Sequence, residues 1–355
     1  MTATSTRIDP NLRVDDFAYD LPPELIAQSP LVERDQSRLM VVDRASGEIV
    51  HSSMQLLPTW LDRGDLLIAN NSRVLSARLH ARKRETGGRV ELLLLRRRVE
   101  GAWHAMAKPS RRLRPGTVLV VAALTANEPD LEIEILDRDN DGTVLLAFQD
   151  DVRLERYGKV PLPPYIHASL PEPDRYQTVY GTVLGSAAAP TAGLHFSLTL
   201  LDALRARGVD WDEVTLHIGL DTFRPVSVAR VADHQIHREW CHVSDQTASR
   251  IAATRDAGHR VVAVGTTTAR TLETLGQREK RTRLAGITTE TELFIVPGYQ
   301  WTMVDAMLTN FHLPRSTLLM MVSSFAGRSL IRTAYQNAIR ERYRFFSFGD
   351  AMLIL

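Results

Sequence analysis

DLLIANNSRVLSARLHAR, Asp65 to Arg82, is the stretch on which the fold turns. Its first part, Asp65 to Ala69, reads as a strand running into the polar turn Asn70-Asn71-Ser72. From Val74 onward apolar and polar residues alternate, which is the period of a strand with one wet face. One architecture gives way to another inside a single turn of chain.

Downstream to roughly Phe148 the texture stays all-β. VELLLL and LEIEIL are short strand-like runs, and turns stand at Thr86-Gly87-Gly88, Arg114-Pro115-Gly116 and Asp139-Asn140-Asp141-Gly142. Closely spaced strands of this kind make a small barrel or sandwich, and Asp141-Gly142 reads as a tight hairpin turn. On either side the texture is α/β. LTLLDALRARGVD, Leu198 to Asp210, has helical apolar spacing closed by Gly208. Val209 to Gly219 reads as a strand, and Arg260 to Val264 as another, with Gly265 to Thr268 as its loop and Ala269 to Leu275 as the helix after it. Leu318 to Val322 reads as a further buried strand. The expected division is a discontinuous α/β domain, 1–72 and 155–355, interrupted by an inserted β-barrel domain, 73–154.

The bulk numbers narrow the class. At 355 residues, with 44% hydrophobic and 24% charged residues, the chain has ample core for such a plan. A single cysteine, Cys241, rules out an internal disulfide and fits a reducing, cytoplasmic setting. No secretory leader and no apolar run of about 20 residues is present. The net charge of +1 hides a local excess, because the segment containing Arg82, Lys83, Arg84, Arg96, Arg97 and Arg98 is strongly basic and the one after it is acidic. Such a patch either follows a phosphate backbone or is the solvated face of an arginine-rich strand.

Five further blocks carry polar groups, glycines and apolar flanks together: PTAGLHF (Pro190 to Phe196), VTLHIGLDTFRPV (Val214 to Val226), HQIHRE (His234 to Glu239), AVGTTTARTLE (Ala263 to Glu273) and YRFFSFGDAML (Tyr343 to Leu353). With TNFHLPRSTLLMMVSSFAG from Thr309, and with FAYDLPPELIAQSP and RDQSRLMVVDR nearer the start, the chain closely resembles the S-adenosylmethionine:tRNA ribosyltransferase-isomerases, the epoxyqueuosine-forming enzymes of queuosine biosynthesis. The resemblance covers nearly the whole chain. It implies a three-layer α/β domain with an inserted β-barrel, and a reaction with no metal and no cofactor beyond S-adenosylmethionine, which is consumed. In that reaction a base takes a proton from the 5′ carbon, adenine leaves, and the aminomethyl group of a wobble-position 7-deazaguanine in tRNA captures the sugar. Ring closure to an epoxycyclopentane then expels methionine. The implied partners are tRNA and S-adenosylmethionine, with no membrane, and the chain is expected to act as a monomer.

Histidine is the natural proton carrier because its unperturbed pKa lies near about 6.5. His195 and His217 are the candidates for base or shuttle, packing being the alternative for each. His312 and Glu239 complete the catalytic candidates, Glu239 as an acid. His234 and His237 share a His-x-x-His-x-Glu pattern with Glu239, but no distant Cys or His set completes four zinc ligands; the resemblance implies that they are substrate-binding or tRNA-contact residues. Thr266 and Thr267, entering a helix, and Arg270 and Arg224 are candidates for an anion, the donor carboxylate or RNA phosphate. Tyr176 and Gln177 offer a ring and an amide to a base. Arg38, Asn70, Thr191, Asn310 and Asp350 sit within the matching blocks and complete the substrate-binding set.

The chain departs from the family pattern in two notable places. Asp221 stands where a glycine is usual, and Asn71 where an aspartate is usual. Both leave room for a relative that uses the same donor on a small amine or free deazapurine. A non-catalytic tRNA-binding relative is the other alternative.

Overall fold

The computed structural model describes residues 8–97, 101–125, 128–139, 143–148, 153–168, 170–219, 226–278 and 284–355. It divides into two compact units. One comprises Met1–Ser72, Pro164–Val183 and Pro190–Leu355; the other, Arg73–Pro163 and Leu184–Ala189.

The larger unit is built on a nine-stranded mixed sheet. Its strands lie in the order Ile287–Thr291, Glu239–Val243, Asp210–Leu216, Leu66–Asn70, Val261–Val264, Ala306–Asn310, Ala351–Ile354, Arg38–Val42, Ile49–Ser53. The central run from Asp210–Leu216 to Ala306–Asn310 is parallel. Its sequences are apolar at successive positions because both sheet faces are covered. The alternation is strict. Leu66, Ile68, Val261, Ala263 and Met307 face one core, while Leu67, Ala69, Val262, Val264 and Leu308 face the other. Helix α1 (Leu198–Ala206) packs into the second core. Helices α2 (Asp245–Asp256), α3 (Thr266–Arg278), α4 (Thr317–Ala326) and α5 (Arg328–Arg340) fill the first. The result is the expected three layers.

Three elements differ from the sequence reading. Leu318 to Val322 is helix, not strand, because Leu, Met and Met are good helix formers and only Val322 is β-branched. Ser316 starts the helix, its Oγ accepting from Leu319 N at 3.1 Å. The strand lies just before it, at Ala306–Asn310. Thr266 to Thr268 belong to α3 rather than to a loop, since Gly265 alone makes the turn at φ 90°. Helix α1 stops at Ala206, with Gly208 at φ 82° turning the chain into the Asp210–Leu216 strand.

The smaller unit is a closed, antiparallel barrel. Arg78–Lys83, Arg89–Arg97, Ala102–Lys108, Thr143–Ala147, Leu131–Arg138 and Val118–Val121 pair in turn, and the last returns to the first. Leu79, Ala81, Val90, Leu92, Ile133, Ile135 and Leu146 fill its interior. The tight turn expected at Asp141-Gly142 lies outside the described residues. Among the described residues no helix is long and apolar enough to cross a membrane.

Candidate active site

The four parallel strands of the larger unit end at Asn70, Leu216, Val264 and Asn310, and α/β proteins bind ligands at such carboxyl edges. Three other strands begin at that same edge. Glu239–Val243 runs antiparallel to Asp210–Leu216 and Ala351–Ile354 antiparallel to Ala306–Asn310, while Arg38–Val42 runs parallel to Ala351–Ile354. Asn70, His217, Glu239, Thr266, Asn310, Asp350 and Arg38 therefore gather from seven separate places in the chain. The short 3-10 turn Thr191–His195 lies against them, with Ala192 facing Gly265.

His195 is the centre of this edge. Its ring is fully buried, with Nδ1 at 2.7 Å from Ser37 Oγ and Nε2 at 3.2 Å from Asn310 Nδ2. Asn310 Nδ2 also donates to Phe346 O at 2.9 Å, which fixes the amide's orientation. A nitrogen that donates to Nε2 requires Nε2 to accept, so the proton sits on Nδ1 and is donated to Ser37. Burial, helped by the Arg344 and Arg34 charges and opposed by Asp350, lowers the imidazole to about 4. The ring is thus neutral at pH 7. Phe346 holds the anchoring carbonyl at φ 74°, a strained backbone for an aromatic residue. Asn310 Oδ1 is buried without a partner.

His195 lines an open cleft with Ser37, Leu194, Arg34, Arg175 and Arg344. Asp350, next in the chain to the lining Gly349, is engaged by neighbouring groups. It accepts from Arg38 N at 3.2 Å, from Arg344 N at 2.9 Å and from Arg344 Nη2 at 3.0 Å. The Arg38 guanidinium turns instead to Glu341 O at 2.7 Å and lies 3.7 Å over the Tyr343 ring. His312 is buried behind Asn310, its Nε2 at 2.9 Å from Thr309 Oγ1 and its N–H donating to Tyr335 Oη at 2.9 Å. Burial lowers its imidazole to about 3.

Glu239 and Arg270 form a second buried centre. Arg270 Nη1 donates to Glu239 Oε2 at 2.6 Å and Nη2 donates to His237 O at 2.8 Å. His237 Nε2 lies 3.0 Å from Glu239 Oε1, which also accepts from Gly219 N at 2.9 Å. Burial alone would raise the Glu239 carboxyl, but His237, Arg270 and Gly219 outweigh it and hold it below the usual range. Glu239, read as an acid, is thus favoured in its ionised form by the groups around it. Arg270, read as an anion ligand, is instead committed to Glu239. His217 stacks on Trp240 with centroids 5.0 Å apart, and its buried Nδ1 has no partner among the described residues. His234 turns away to Phe294.

Several candidates serve the scaffold. Asn70 ties strands together, its Nδ2 donating to Leu216 O at 2.9 Å and its Oδ1 accepting from Leu216 N at 3.0 Å. Thr267 Oγ1 accepts from the same amide at 3.3 Å. Tyr176 is buried against Phe348, and Gln177 beside it is buried as well. Thr191 opens the His195 turn. On the barrel, Arg82 is exposed, Lys83 donates to Arg112 O at 2.5 Å and Arg84 pairs with Glu132. Arg96 and Arg97 close the Arg89–Arg97 strand. Arg98, Arg224 and Asp221 lie outside the described residues. The sequence reading did not nominate Ser37, Arg34, Arg175 or Arg344. Their signal was proximity, since each directly flanks or lies within a block already singled out.

Fold and site together define an α/β protein whose polar residues converge on a basic cleft at the carboxyl edge of its strands. The family model described as queuosine biosynthesis protein matches residues 14–354, and the chain belongs to that family. It is 50% identical over 349 residues to the S-adenosylmethionine:tRNA ribosyltransferase-isomerase of Symbiobacterium thermophilum, covering 97% of this chain and 100% of that protein. The protein of the same name from Thermotoga maritima is 48% identical with the same coverage. The crystal structure of the S-adenosylmethionine tRNA ribosyltransferase from Thermotoga maritima superposes with a TM-score of 0.56, at 40% identity, over 96% of this chain and 100% of that one.

Proposed function

We propose that the chain transfers and isomerises the ribosyl moiety of S-adenosylmethionine onto 7-aminomethyl-7-deazaguanine at the tRNA wobble position, giving epoxyqueuosine, adenine and methionine. The observation that carries this reading is the likeness, 50% identical over 97% of the chain, to an enzyme of that name. The site supplies matching chemistry. His195, neutral, is the base for the 5′ carbon, taking the proton on Nε2 in place of the hydrogen bond that Asn310 Nδ2 donates there; the adjacent sulfonium makes that proton acidic. Low basicity keeps the ring unprotonated at working pH. Asn310 positions it, and the unpartnered Oδ1 beside it offers an acceptor to an incoming amine or hydroxyl. His217 beside Trp240 is the second proton carrier. His312 and Asp350 act through Asn310, Arg38 and Arg344. The reading has the protein working in the cytoplasm as a monomer, with no cofactor beyond the donor.

The test is direct. Purified protein, S-adenosylmethionine and tRNA bearing the aminomethyl-deazaguanine are incubated and the nucleosides analysed by mass spectrometry. Epoxyqueuosine should form, with adenine and methionine released in equal amounts. S-adenosylhomocysteine as the main product would mean methyl transfer and overturn the reading.

A further inference from the structure

We infer that the cleft over His195 is an oxyanion-binding subsite, with Arg34 and Arg175 as its recognition groups, and that it seats the donor's carboxylate. The inference deepens the proposed function and rests on it. Arg34 donates to Leu194 O at 3.3 Å and Asp174 O at 3.1 Å, and Arg175 to Val32 O at 2.8 Å and Leu31 O at 2.5 Å. These neutral carbonyls fix each guanidinium without cancelling its charge. Arg175 Nε is buried with no partner among the described residues. Burial lowers the Arg34 guanidinium and the neighbouring Arg175 charge lowers it further, while Tyr180 and Asp174 oppose the shift. Arg344 completes the basic wall, but its charge is matched by Asp350 at 3.0 Å. A pair of guanidiniums held together in a partly dry cleft is unfavourable until an anion sits between them. Planar forks of this type fit a carboxylate or a phosphate in bidentate fashion.

The carboxylate is the better occupant. The cleft opens directly onto His195, where the donor's reacting carbon must lie. Arg270, the arginine that sequence alone offers for the carboxylate, is neutralised by Glu239. Nor does an RNA phosphate need to approach the reacting carbon of the donor.

Arg175→Met keeps the apolar stem and removes the charge; Arg175→Lys keeps the charge and removes the fork. Calorimetric titration with S-adenosylmethionine should show affinity falling roughly ten- to a hundredfold in Arg175→Met and less in Arg175→Lys. The donor's carboxamide analogue should bind the wild type weakly and the two variants no worse. Affinity for tRNA should stay within about twofold. Loss of tRNA affinity with a shallower salt slope, and unchanged donor binding, would keep the oxyanion site but overturn the carboxylate as its occupant. Unchanged binding of both, in variants whose thermal melts match the wild type, would overturn the site itself. Turnover of modified tRNA by the wild type runs alongside, so that failure of the functional reading is seen separately.

Discussion

At the scale of single residues, the histidines divide by burial rather than by sequence neighbourhood. His195 and His312 are both buried and both held neutral, at about 4 and about 3. A histidine that is depressed in the folded state and near 6.5 when unfolded takes up protons on unfolding. Stability is therefore present above about pH 6.5 and lost as pH falls toward the folded values. Between pH 6.5 and 5 each ring should cost about 2 kcal/mol. Urea titrations at the two pH values should show that loss, and His312→Asn should remove roughly half of it. An unchanged slope in the mutant would mean that His312 is not buried neutral. His195→Gln, which keeps a hydrogen-bonding side chain at the same place, should cut kcat by about 10²–10⁴ while leaving donor affinity nearly intact. Equal loss of affinity would make His195 a binding group instead. That histidines cluster in the matching blocks was legible from the sequence. Which one faces the cleft was not, because Ser37 lies 158 residues and Asn310 115 residues from His195.

At the scale of elements, the Thr191–His195 turn is set by what packs beneath it. A Cβ on Gly193 would overlap the Tyr180 hydroxyl and meet Thr178 Cγ2 at 2.8 Å, so only glycine lets the turn descend far enough to bury His195. Gly193→Ala should destabilise the protein by about 1–3 kcal/mol and depress turnover with it. Adding Tyr180→Phe removes the clashing oxygen, itself buried without a partner, and should recover part of that loss. Strict additivity of the two changes in a denaturation cycle would show that the contact does not govern the turn. The helix at Thr317–Ala326 carries the opposite lesson. Its apolar run fits a buried strand or a buried helix equally, since periodicity vanishes when every face is covered. The Ser316 cap was the local signal that separates the two, and it precedes the run by two residues.

For the whole molecule, the proposed acceptor is a polyanion while the chain's net charge is only +1, so any contact must be local. Arg82, Lys83 and Arg84 sit together on one barrel strand and its turn. If they meet phosphates, replacing all three with Gln should weaken tRNA binding and flatten its salt dependence by about 0.7 to 0.9 in slope per lost contact. Because Arg84 is already paired with Glu132, its share should be the smallest of the three single changes. Identical salt slopes for wild type and triple mutant would reduce the cluster to a solvated face. By itself the sequence determined the family, the alternation of α/β and all-β textures, and the residue types on offer at the site. Those properties are local, carried by the spacing of apolar positions, by glycines in turns and by the order of compositionally unusual blocks. Tertiary structure alone decided which of those residues are spent and which remain available. Arg270 is paired with Glu239, Asn70 is consumed in tying strands together, and Arg34 and Arg175 donate to backbone carbonyls. The physical reason is that a side chain's role depends on its burial and its partners. The sheet order sets both, by bringing strand ends far apart in the chain to one edge.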